Sequence, residues 1–406
     1  MTPIFFSRPQ VLCSAGSNLK ELWQSVTTGN QSGIKKVQTI DKNIFYAARI
    51  NDSLLSQKSS SRYDSRIMRI EEKCLSQLEN EILHIKKLFS PERIAVCTGS
   101  CDNGTELSLN AHKEFFNSNH FPKNYSLEAQ GADYVSTFIS EKYNLKGPSL
   151  TFSTACSSSA AAIVKATEMI QSDLCDAVIC GGIDIASDTA LMGFNSLEAI
   201  SSEITNPFSK NRHGITLGEG AAFFILSRTQ LFPDENIKIL GYGESADAYH
   251  ITTPDPEGNG AFSAMQKALE KAQIAPEQID YLNLHGTGTK FNDSMEAKAV
   301  SRLFKNYPVP ASSTKSITGH TLGASGAIEA VISYLTIKNN TSSKEITLPV
   351  QVWDKIYDPE IPKLNLIDTS TPSAKKTKQI PIQKISTVMS NSFAFGGANT
   401  SLILGL

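Results

Sequence analysis

The stretch STACSSSAAAI, residues 153–163, contains one cysteine, Cys156, at a point where a strand gives way to a helix. Apolar and threonine residues before it predict the strand, and apolar residues at helical spacing predict a helix over 157–170. A helix N-terminus favours a thiolate and lowers the pKa of a cysteine, so Cys156 is a candidate nucleophile. A free cysteine is also often a small core residue, and the stretch alone leaves that alternative open.

Two of the seven histidines stand in glycine-rich loops after apolar stretches, His285 in LNLHGTGT and His320 in KSITGHTLGASGAIEA. A cysteine with histidines from separate loops is a set that covalent acyl chemistry uses, because an imidazole can donate to a carbonyl oxygen or transfer protons. Each histidine alone could equally be a hydrogen-bonded structural residue.

Further polar residues surround the two histidines. Thr287 and Thr289 would place two hydroxyls side by side if their loop is extended, which suits a polar, extended ligand. Satisfaction of a turn by the same hydroxyls is the alternative. Lys315, before His320, and Glu329, on the following helix, could form an ion pair that is only structural.

The elements that must position these residues alternate between strand and helix. The predicted strands are 93–100, 149–155, 177–182, 221–228, 281–289, 385–391 and 401–406. The predicted helices include 157–170, 261–272, 293–304 and 323–338. This alternation predicts an α/β fold, and strands that are apolar on both faces predict sheets covered on both sides.

A weak internal repeat divides the chain near residue 245. RIAVCTGS resembles YLNLHGTGT as a strand with a glycine-containing loop, and TFSTACSSS resembles TVMSNSFAFGG as a strand with a small-residue turn. No low-complexity linker separates the two parts. We therefore expect an N-terminal half, 1–245, with the cysteine and a C-terminal half, 246–406, with the two histidines, packed tightly together.

The composition excludes several classes of protein. Lys and Arg total 38 against 40 Asp and Glu, and the formal charge of −2 supplies no overall positive field for nucleic acid. The longest apolar runs are far shorter than the roughly 20 residues of a membrane-spanning helix, and the first residues lack the pattern of a secretory signal. Seven scattered cysteines without a zinc-binding arrangement predict reduced thiols, a cytoplasmic location and no metal.

Four motifs occur in one order along the chain: TACSSS, HGTGT, KSITGHTLGASGAIEA and the C-terminal NSFAFGGANTSL. Together they resemble the β-ketoacyl synthases, the elongating condensing enzymes of fatty-acid and polyketide pathways, over nearly the whole chain. The resemblance implies a thiolase-like, five-layered αβαβα fold built from two similar halves. It also implies decarboxylative condensation of an acyl group with malonyl-acyl-carrier protein, for fatty acyl, polyketide or aryl-polyene chains.

The resemblance implies a role for each motif residue. Cys156 would take an acyl group from acyl carrier protein as a thioester. His285 and His320 would hydrogen-bond the malonyl thioester oxygen as enolate charge develops, and loss of carbon dioxide would supply the carbanion without a strong base. Lys315 and Glu329 would tune the surroundings of the two histidines.

Substrate-facing residues are implied in the same way. The backbone N–H groups of Cys156 and Phe395 would form an oxyanion hole, a type of donor pair worth about 3 to 4 kcal/mol per donor in other enzymes. Phe395 would also gate the cysteine. Thr287 and Thr289 would hold the pantetheine arm, and Phe194 matches an acyl-tunnel position.

Partners follow from the same resemblance. The family docks acidic carrier proteins on a small basic patch, and Arg62, Arg66 and Arg69 lie on a predicted helix that could supply it, although such charges are often only solvated surface. No cofactor of its own is implied, because the carrier protein brings the phosphopantetheine. The chain would form a dimer, with itself or with a related ketosynthase or chain-length factor.

Two departures and two alternatives accompany the resemblance. His213 stands where the family more often has an acid, and Ala394 stands where the gating loop often has glycine, which predicts a stiffer loop. The main alternative is a chain-length factor, a partner subunit that usually lacks the nucleophile. A thiolase proper would need a second cysteine near the C-terminus, and no cysteine follows Cys180.

Overall fold

The structure is a computed structural model that describes residues 3–102, 104–123, 125–131, 133–341, 345–371 and 384–406. Its strands are β1 Ile4–Phe6, β2 Gln10–Cys13, β3 Ile34–Gln38, β4 Ile44–Ala48, β5 Ile94–Gly99, β6 Ser149–Phe152, β7 Ala177–Asp184, β8 Leu217–Gly218, β9 Gly220–Ser227, β10 Lys238–Ala246, β11 Tyr281–Asn283, β12 Ala311–Ser312, β13 Thr387–Phe393 and β14 Ala398–Gly405. Its helices are α1 Leu19–Thr28, α2 Arg66–Gln77, α3 Glu79–Leu88, α4 Thr105–Ser118, α5 Tyr134–Tyr143, α6 Ser158–Gln171, α7 Asp188–Ser196, α8 Asn259–Ala272, α9 Lys290–Phe304, α10 Lys315–Thr318 and α11 Ser325–Lys338. Within the described residues, no helix is both long and apolar enough to cross a membrane.

The alternating α/β pattern predicted from the sequence is confirmed, with one change at the site. Every predicted strand overlaps an observed strand, and the four predicted helices correspond to α6, α8, α9 and α11. The predicted strand 281–289 stops at Asn283, because residues 284–289 form a loop that leads into α9. That loop carries His285, Thr287 and Thr289.

The large mixed sheet has a nearly symmetric strand order, β12-β11-β13-β14-β10-β1-β9-β7-β5-β6, with β2 paired to β9. On one side β6, β5 and β7 are parallel and β9 runs antiparallel to β7. On the other side β12, β11 and β13 are parallel and β14 runs antiparallel to β13. The chain therefore repeats one topology twice, and the two copies meet where β1 pairs with β10.

This topology corrects one of the two sequence repeats. The pairing of RIAVCTGS with YLNLHGTGT is confirmed, since β5 and β11 occupy equivalent places. The pairing of TFSTACSSS with TVMSNSFAFGG is wrong, because β6 is equivalent to β12 and β13 is equivalent to β7. The division at residues 245 and 246 falls within the last residues of β10 and otherwise stays a prediction.

Helices lie on both faces of each half of the sheet and between the halves. α2 and α5 pack on the N-terminal half, and α8 packs on the C-terminal half with α9 against it. α6 and α11 pack against each other and contact strands of both halves. Three hydrophobic clusters fill these layers, one around α6 and α11 and one under each outer helical layer.

Small residues allow the two central helices to approach each other and the sheet closely. A Cβ atom on Gly326 of α11 would lie 2.6 Å from the backbone nitrogen of Ala160 in α6. A Cβ atom on Gly99 of β5 would lie 2.2 Å from the backbone nitrogen of Ser159. Almost all of α11 is buried, so its apolar sequence fits a helix enclosed on every side. The close approach fixes the N-termini of α6 and α11 next to each other.

Candidate active site

Cys156 lies in a single 3₁₀ turn, Ala155–Ser157, between β6 and α6. The turn begins with Ala155 at φ 51°, a left-handed conformation that costs a non-glycine residue about 1 to 2 kcal/mol. The Ser158 hydroxyl donates to the Ala155 carbonyl oxygen at 2.6 Å and accepts from the Thr154 N–H group at 2.9 Å. The turn and its serine thus hold the Cys156 sulfur in place, with only 4% of the residue exposed.

The expectation of a lowered cysteine pKa is wrong for this structure. Burial raises the pKa of the Cys156 thiol to about 11, because it removes the water that would stabilise the thiolate. The backbone N–H groups of Phe395 and Cys156 and the charge of Lys315 act in the opposite direction but do not outweigh burial. Both N–H groups nevertheless lie beside the sulfur, and the oxyanion hole that they would form stays a prediction.

His320 contacts the cysteine directly. Its Nε2 lies 3.0 Å from Cys156 Sγ, and its Nδ1 lies 3.0 Å from the Ser325 hydroxyl at the start of α11. The backbone of His320 is held by the N-terminal half, since its N–H donates to the Thr216 oxygen at 2.7 Å and its oxygen accepts from the Gly218 N–H at 2.9 Å. The contact between the two halves therefore positions this imidazole.

His285 approaches from the loop after β11. Its ring lies 5.4 Å from that of His320, centroid to centroid, and nearly perpendicular to it. Lys315 Nζ lies 3.3 Å from His285 Nδ1 and donates to the His285 carbonyl oxygen at 2.6 Å. Because an ammonium has only donors, Nδ1 must accept and the proton of a neutral ring is on Nε2. That Nε2 is buried and has no partner among the described residues, so it is free to donate to a ligand.

Both imidazoles are held in the neutral form. Burial lowers the pKa of His285 well below its ordinary value, and the charge of Lys315 lowers it further. Burial and Lys315 also lower the pKa of His320 well below its ordinary value. The two rings can therefore act as neutral hydrogen-bond donors at pH 7. The Cys156 sulfur and one nitrogen of each ring all lie within 4.8 Å of one another.

Lys315 and Glu329 form a buried ion pair behind the histidines. Lys315 Nζ donates to Glu329 Oε1 at 2.5 Å, and both side chains are at most 4% exposed. Burial raises the pKa of Glu329, while Lys315 acts against that rise. The pair joins α10 to α11 and contacts His285, so the predicted association of these residues with the histidines is present in the geometry.

Two acidic residues at the start of α9 were not identified from the sequence. Glu296 accepts from the N–H groups of His285 at 2.8 Å and Gly286 at 2.7 Å. Asp293 accepts from the N–H groups of Phe208 at 2.7 Å and Gly288 at 3.2 Å. Burial raises the pKa of Glu296 to about 7. Acids in the first turns of a helix that follows a glycine-rich loop are the signal that could have found them.

The two threonine hydroxyls are neighbours, as predicted, but for a different reason. Thr287 Oγ1 lies 3.0 Å from Thr289 Oγ1. The loop is not extended, because Gly286 and Gly288 have φ angles of 36° and 79°. Glycine tolerates this left-handed backbone, and the resulting turn brings the hydroxyls together.

A cavity of about 460 Å³ opens above the cysteine and the histidines. Thr287, Thr289, Phe194 and Phe395 line it together with Cys156, and the exposed His213 lies at its wall. The rings of Phe194 and Phe395 are 5.7 Å apart. Gly396 and Gly397 after Phe395 have positive φ angles, and a Cβ atom on Gly396 would meet nothing within 4 Å. The structure thus brings all the predicted substrate-facing residues to one cavity.

The three arginines predicted to dock a carrier protein lie outside this cavity and are all ion-paired. Arg66 Nη2 contacts the fully buried Glu219 at 2.5 Å, so this guanidinium neutralises an internal charge. Arg69 pairs with Asp64 at 2.8 Å. Arg62 makes longer contacts with two exposed glutamates, Glu128 at 3.4 Å and Glu141 at 3.2 Å. Arg62 keeps the most exposed side chain of the three, and docking by these residues stays a prediction.

Two family models match consecutive parts of the chain. One is described as beta-ketoacyl synthase, N-terminal domain, and matches residues 10–231. The other is described as beta-ketoacyl synthase, C-terminal domain, and matches residues 237–348.

Relatives and solved structures resemble the chain over its whole length. The 3-oxoacyl-[acyl-carrier-protein] synthase 2 of Coxiella burnetii (strain RSA 493 / Nine Mile phase I) is 34% identical over 419 residues, covering 97% of this chain and 96% of that protein. A chain of the complex of a ketosynthase with its chain length factor from Xenorhabdus doucetiae has a TM-score of 0.87 and 34% identity, covering 100% of this chain and 98% of that chain. A beta-ketoacyl synthase from Burkholderia phymatum STM815 has a TM-score of 0.80 and 26% identity, covering 100% of this chain and 99% of that chain.

Proposed function

The chain belongs to the β-ketoacyl synthase family, and we propose that it is a β-ketoacyl-acyl-carrier-protein synthase that elongates acyl chains by decarboxylative condensation. The observation that carries the proposal is the cluster of one thiol and two neutral imidazoles within 4.8 Å. The thiol accepts an acyl group, and the imidazoles stabilise the second substrate as it loses carbon dioxide.

The first half-reaction loads the acyl group on Cys156. The sulfur forms a bond to the acyl carbonyl carbon, the thioester bond to the carrier's phosphopantetheine breaks, and the thiol proton ends on the phosphopantetheine thiol. With Nδ1 accepting from Ser325, His320 Nε2–H donates to Sγ and stabilises the thiolate as it forms. The N–H groups of Cys156 and Phe395 then bind the oxyanion of the tetrahedral intermediate.

The second half-reaction uses the same imidazoles as donors. The thioester oxygen of malonyl-carrier protein accepts from His285 Nε2–H and His320 Nε2–H, which stabilise the enolate while the bond to the carboxylate breaks. The enolate carbon forms a bond to the acyl carbon, and the Cys156 sulfur leaves and takes up a proton. Lys315 fixes the His285 tautomer, so it positions a donor.

The cavity wall and the chain's surface suggest how substrates and partners bind. The adjacent hydroxyls of Thr287 and Thr289 would bind the amides of the pantetheine arm, which belongs to the carrier, so the reaction needs no resident cofactor. Arg62 and Arg69 remain candidates for carrier docking. A cytoplasmic location is part of the proposal, since all seven cysteines are free thiols.

A dimer is also part of the proposal. β6 ends the large sheet and exposes Leu150, and an unpaired edge strand is a surface on which a second chain can pair. The similarity to a complex of a ketosynthase with its chain length factor makes a related subunit one candidate partner and a second copy the other. It also makes a chain-length factor the second candidate function, although Cys156, His285 and His320 favour the catalytic subunit.

Acyl transfer to Cys156 tests the proposed function. We expect the protein, incubated with acyl-carrier protein, to gain the acyl mass on the peptide that contains Cys156, and then to release carbon dioxide and a β-ketoacyl product when malonyl-carrier protein is added. Cys156→Ala should lose the adduct. The control Cys175→Ala removes a buried thiol between α6 and β7 that does not line a cavity at Cys156, and this variant should keep the adduct. Absence of the adduct, alone or with a partner subunit, would contradict the proposal and favour a chain-length factor.

A further inference from the structure

A second cavity, of about 350 Å³, reaches the same sulfur. Among the described lining residues, it shares Cys156, Phe194 and Phe395 with the first cavity. The others lie in the loop after β5 and the start of α4, in the turns after β6 and before α11, and at the end of β7 and the start of α7. The first cavity contains the histidines and the threonine pair. The second cavity is therefore the space available to an acyl group bound to Cys156.

The walls of this cavity differ in polarity. Phe194, Phe395, Leu322, Ile185 and Ala190 supply an apolar part. Polar side chains from the two loops, Asp102, Thr105, Asp184, Ser187 and Thr189, supply the rest. Among the described lining residues there is no Lys, Arg or His, so this wall supplies no cation to pair with the carboxyl groups of Asp102 and Asp184. Pockets of this kind use a few polar groups to orient a largely apolar ligand.

Asp102 is held as a hydrogen-bond acceptor. Its carboxyl oxygens accept from the Tyr134 hydroxyl at 2.7 Å, from the Gly104 N–H group at 2.9 Å and from the Thr105 hydroxyl. Among the described residues, the Thr105 hydroxyl is the one donor to Oδ1, and a carboxylate can accept about four hydrogen bonds. Asp102 is 4% exposed and lines the cavity, so an acceptor with spare capacity lies beside the space that a ligand would fill.

Asp184 has a different part in the same wall. Its Oδ2 accepts from the N–H groups of Cys101 and Gly323, both at 2.8 Å, and its Oδ1 accepts from the Ile185 N–H at 3.2 Å. It thus ties the loop after β5 to the turn before α11. Burial and the nearby Asp102 raise the pKa of Asp184 to about 7. The donors to Asp184 are all backbone N–H groups, so Asp184 positions the wall, whereas two of the donors to Asp102 are side-chain hydroxyls, which can rotate when a ligand binds.

We propose that this cavity selects acyl groups that carry a hydroxyl on an otherwise apolar body, and that Asp102 accepts the hydrogen bond from that hydroxyl. The inference rests on the proposed acyl transfer to Cys156. A purely hydrocarbon acyl group would exclude water from Asp102 and leave its remaining acceptor capacity unused, which penalises its binding. A hydroxyl replaces the lost water and leaves the apolar part of the group against Phe194 and Phe395.

The test compares matched acyl groups on the intact protein. Carrier protein is loaded with benzoyl or 4-hydroxybenzoyl, and with hexanoyl or 6-hydroxyhexanoyl, and the rate of acyl transfer to Cys156 is measured by mass spectrometry. We expect the hydroxylated member of at least one pair to react about tenfold faster or more in kcat/KM. Comparison of the aromatic pair with the aliphatic pair shows which kind of hydrocarbon group the apolar wall accepts. Equal rates, or faster transfer of both unsubstituted groups, would overturn the inference.

Variants locate the effect at Asp102. Asp102→Asn keeps the size of the side chain but removes half of its acceptor capacity, so we expect the preference for the hydroxylated group to fall about threefold or more. Asp188→Asn is the matched control, because Asp188 lies at the start of α7, which contributes to the cavity wall, but does not itself line the cavity. An unchanged preference in Asp102→Asn also contradicts the inference. If that variant fails to fold, the comparison of matched acyl groups on the wild-type protein still tests the inference.

Two readouts separate this inference from the proposed function. Carbon dioxide release from malonyl-carrier protein and transfer of any acyl group to Cys156 report on the condensing activity itself. If both are absent, the proposed function fails. If both are present while the unsubstituted groups react faster, only the assignment of the cavity fails.

Discussion

At the scale of single residues, the Cys156 thiol should be a weak acid until substrate binds. Its pKa is about 11 in this structure, and the thiolate fraction rises about tenfold per pH unit below the pKa. We therefore expect the rate at which iodoacetamide alkylates Cys156 to rise about tenfold per pH unit between pH 8 and pH 10. The Lys315 charge lowers the thiol pKa, so Lys315→Met should slow alkylation at pH 8.5 several-fold. Glu329→Gln should act in the opposite direction, because Glu329 raises that pKa.

Mass spectrometry of the peptide containing Cys156 gives these rates, and a thermal melt checks that each variant is folded. A rate that levels off below pH 9 would show a lowered pKa and support the expectation drawn from the helix terminus alone. Equal effects of the two substitutions would contradict the electrostatic explanation.

The sequence was enough to identify some residues of the site but not others, and it did not predict their pKa values. Cys156, His285 and His320 were identifiable because their residue types and loop contexts point to one chemistry. The thiol pKa was not, since burial depends on what the rest of the chain places over the sulfur. Glu296 was missed because it acts through backbone N–H groups of a loop, and its one sequence signal is its place in the first turns of the helix after that loop.

At the scale of elements, the crossing of α6 and α11 should control both stability and activity. Gly326→Ala would place a Cβ atom 2.6 Å from the Ala160 backbone nitrogen, so one helix must move. We expect the free energy of unfolding to fall by about 1 to 3 kcal/mol, as for other overpacked cores. Acyl transfer should fall as well, because Cys156 immediately precedes α6. Urea unfolding and the acylation assay measure the two effects.

The matched control is Gly193→Ala in α7. A Cβ atom there would meet nothing within 4 Å, and alanine is a better helix former than glycine by about 1 kcal/mol. Gly193→Ala should therefore unfold at the same or a higher urea concentration. A Gly326→Ala protein as stable as the wild type would contradict the account of the crossing.

The strands and helices themselves were largely predictable from the sequence, but which strand of one half corresponds to which strand of the other was not. Continuous apolar runs and helical patterns located β5, β7, β9, α6 and α11 within a few residues. The sequence repeat mispaired β6 with β13, because a small-residue turn follows both strands. The strand order shows that β6 corresponds to β12. The turns that lead into α6 and α11 also correspond, since each begins with a left-handed non-glycine residue, Ala155 in one and Leu322 in the other.

At the scale of the whole molecule, the two halves should unfold as one unit. β1 pairs with β10, and the central hydrophobic cluster around α6 and α11 contains residues of both halves, so loss of either half would expose the core of the other. The two tryptophans lie in different halves, Trp23 on α1 and Trp353 after α11. We expect the single-tryptophan variants Trp23→Phe and Trp353→Phe to give, by fluorescence, a transition that coincides with the loss of helical circular dichroism in each protein. A fluorescence midpoint several degrees away from the dichroism midpoint would show independent halves.

The two cavities that meet at Cys156 also have a consequence for product length. Among the described lining residues they share Cys156 and the two phenylalanines, so in the proposed reaction the carrier arm and the acyl chain occupy different cavities. Each round would add two carbons to a chain held in the cavity of about 350 Å³. We therefore expect the volume of this cavity to limit the length of the product.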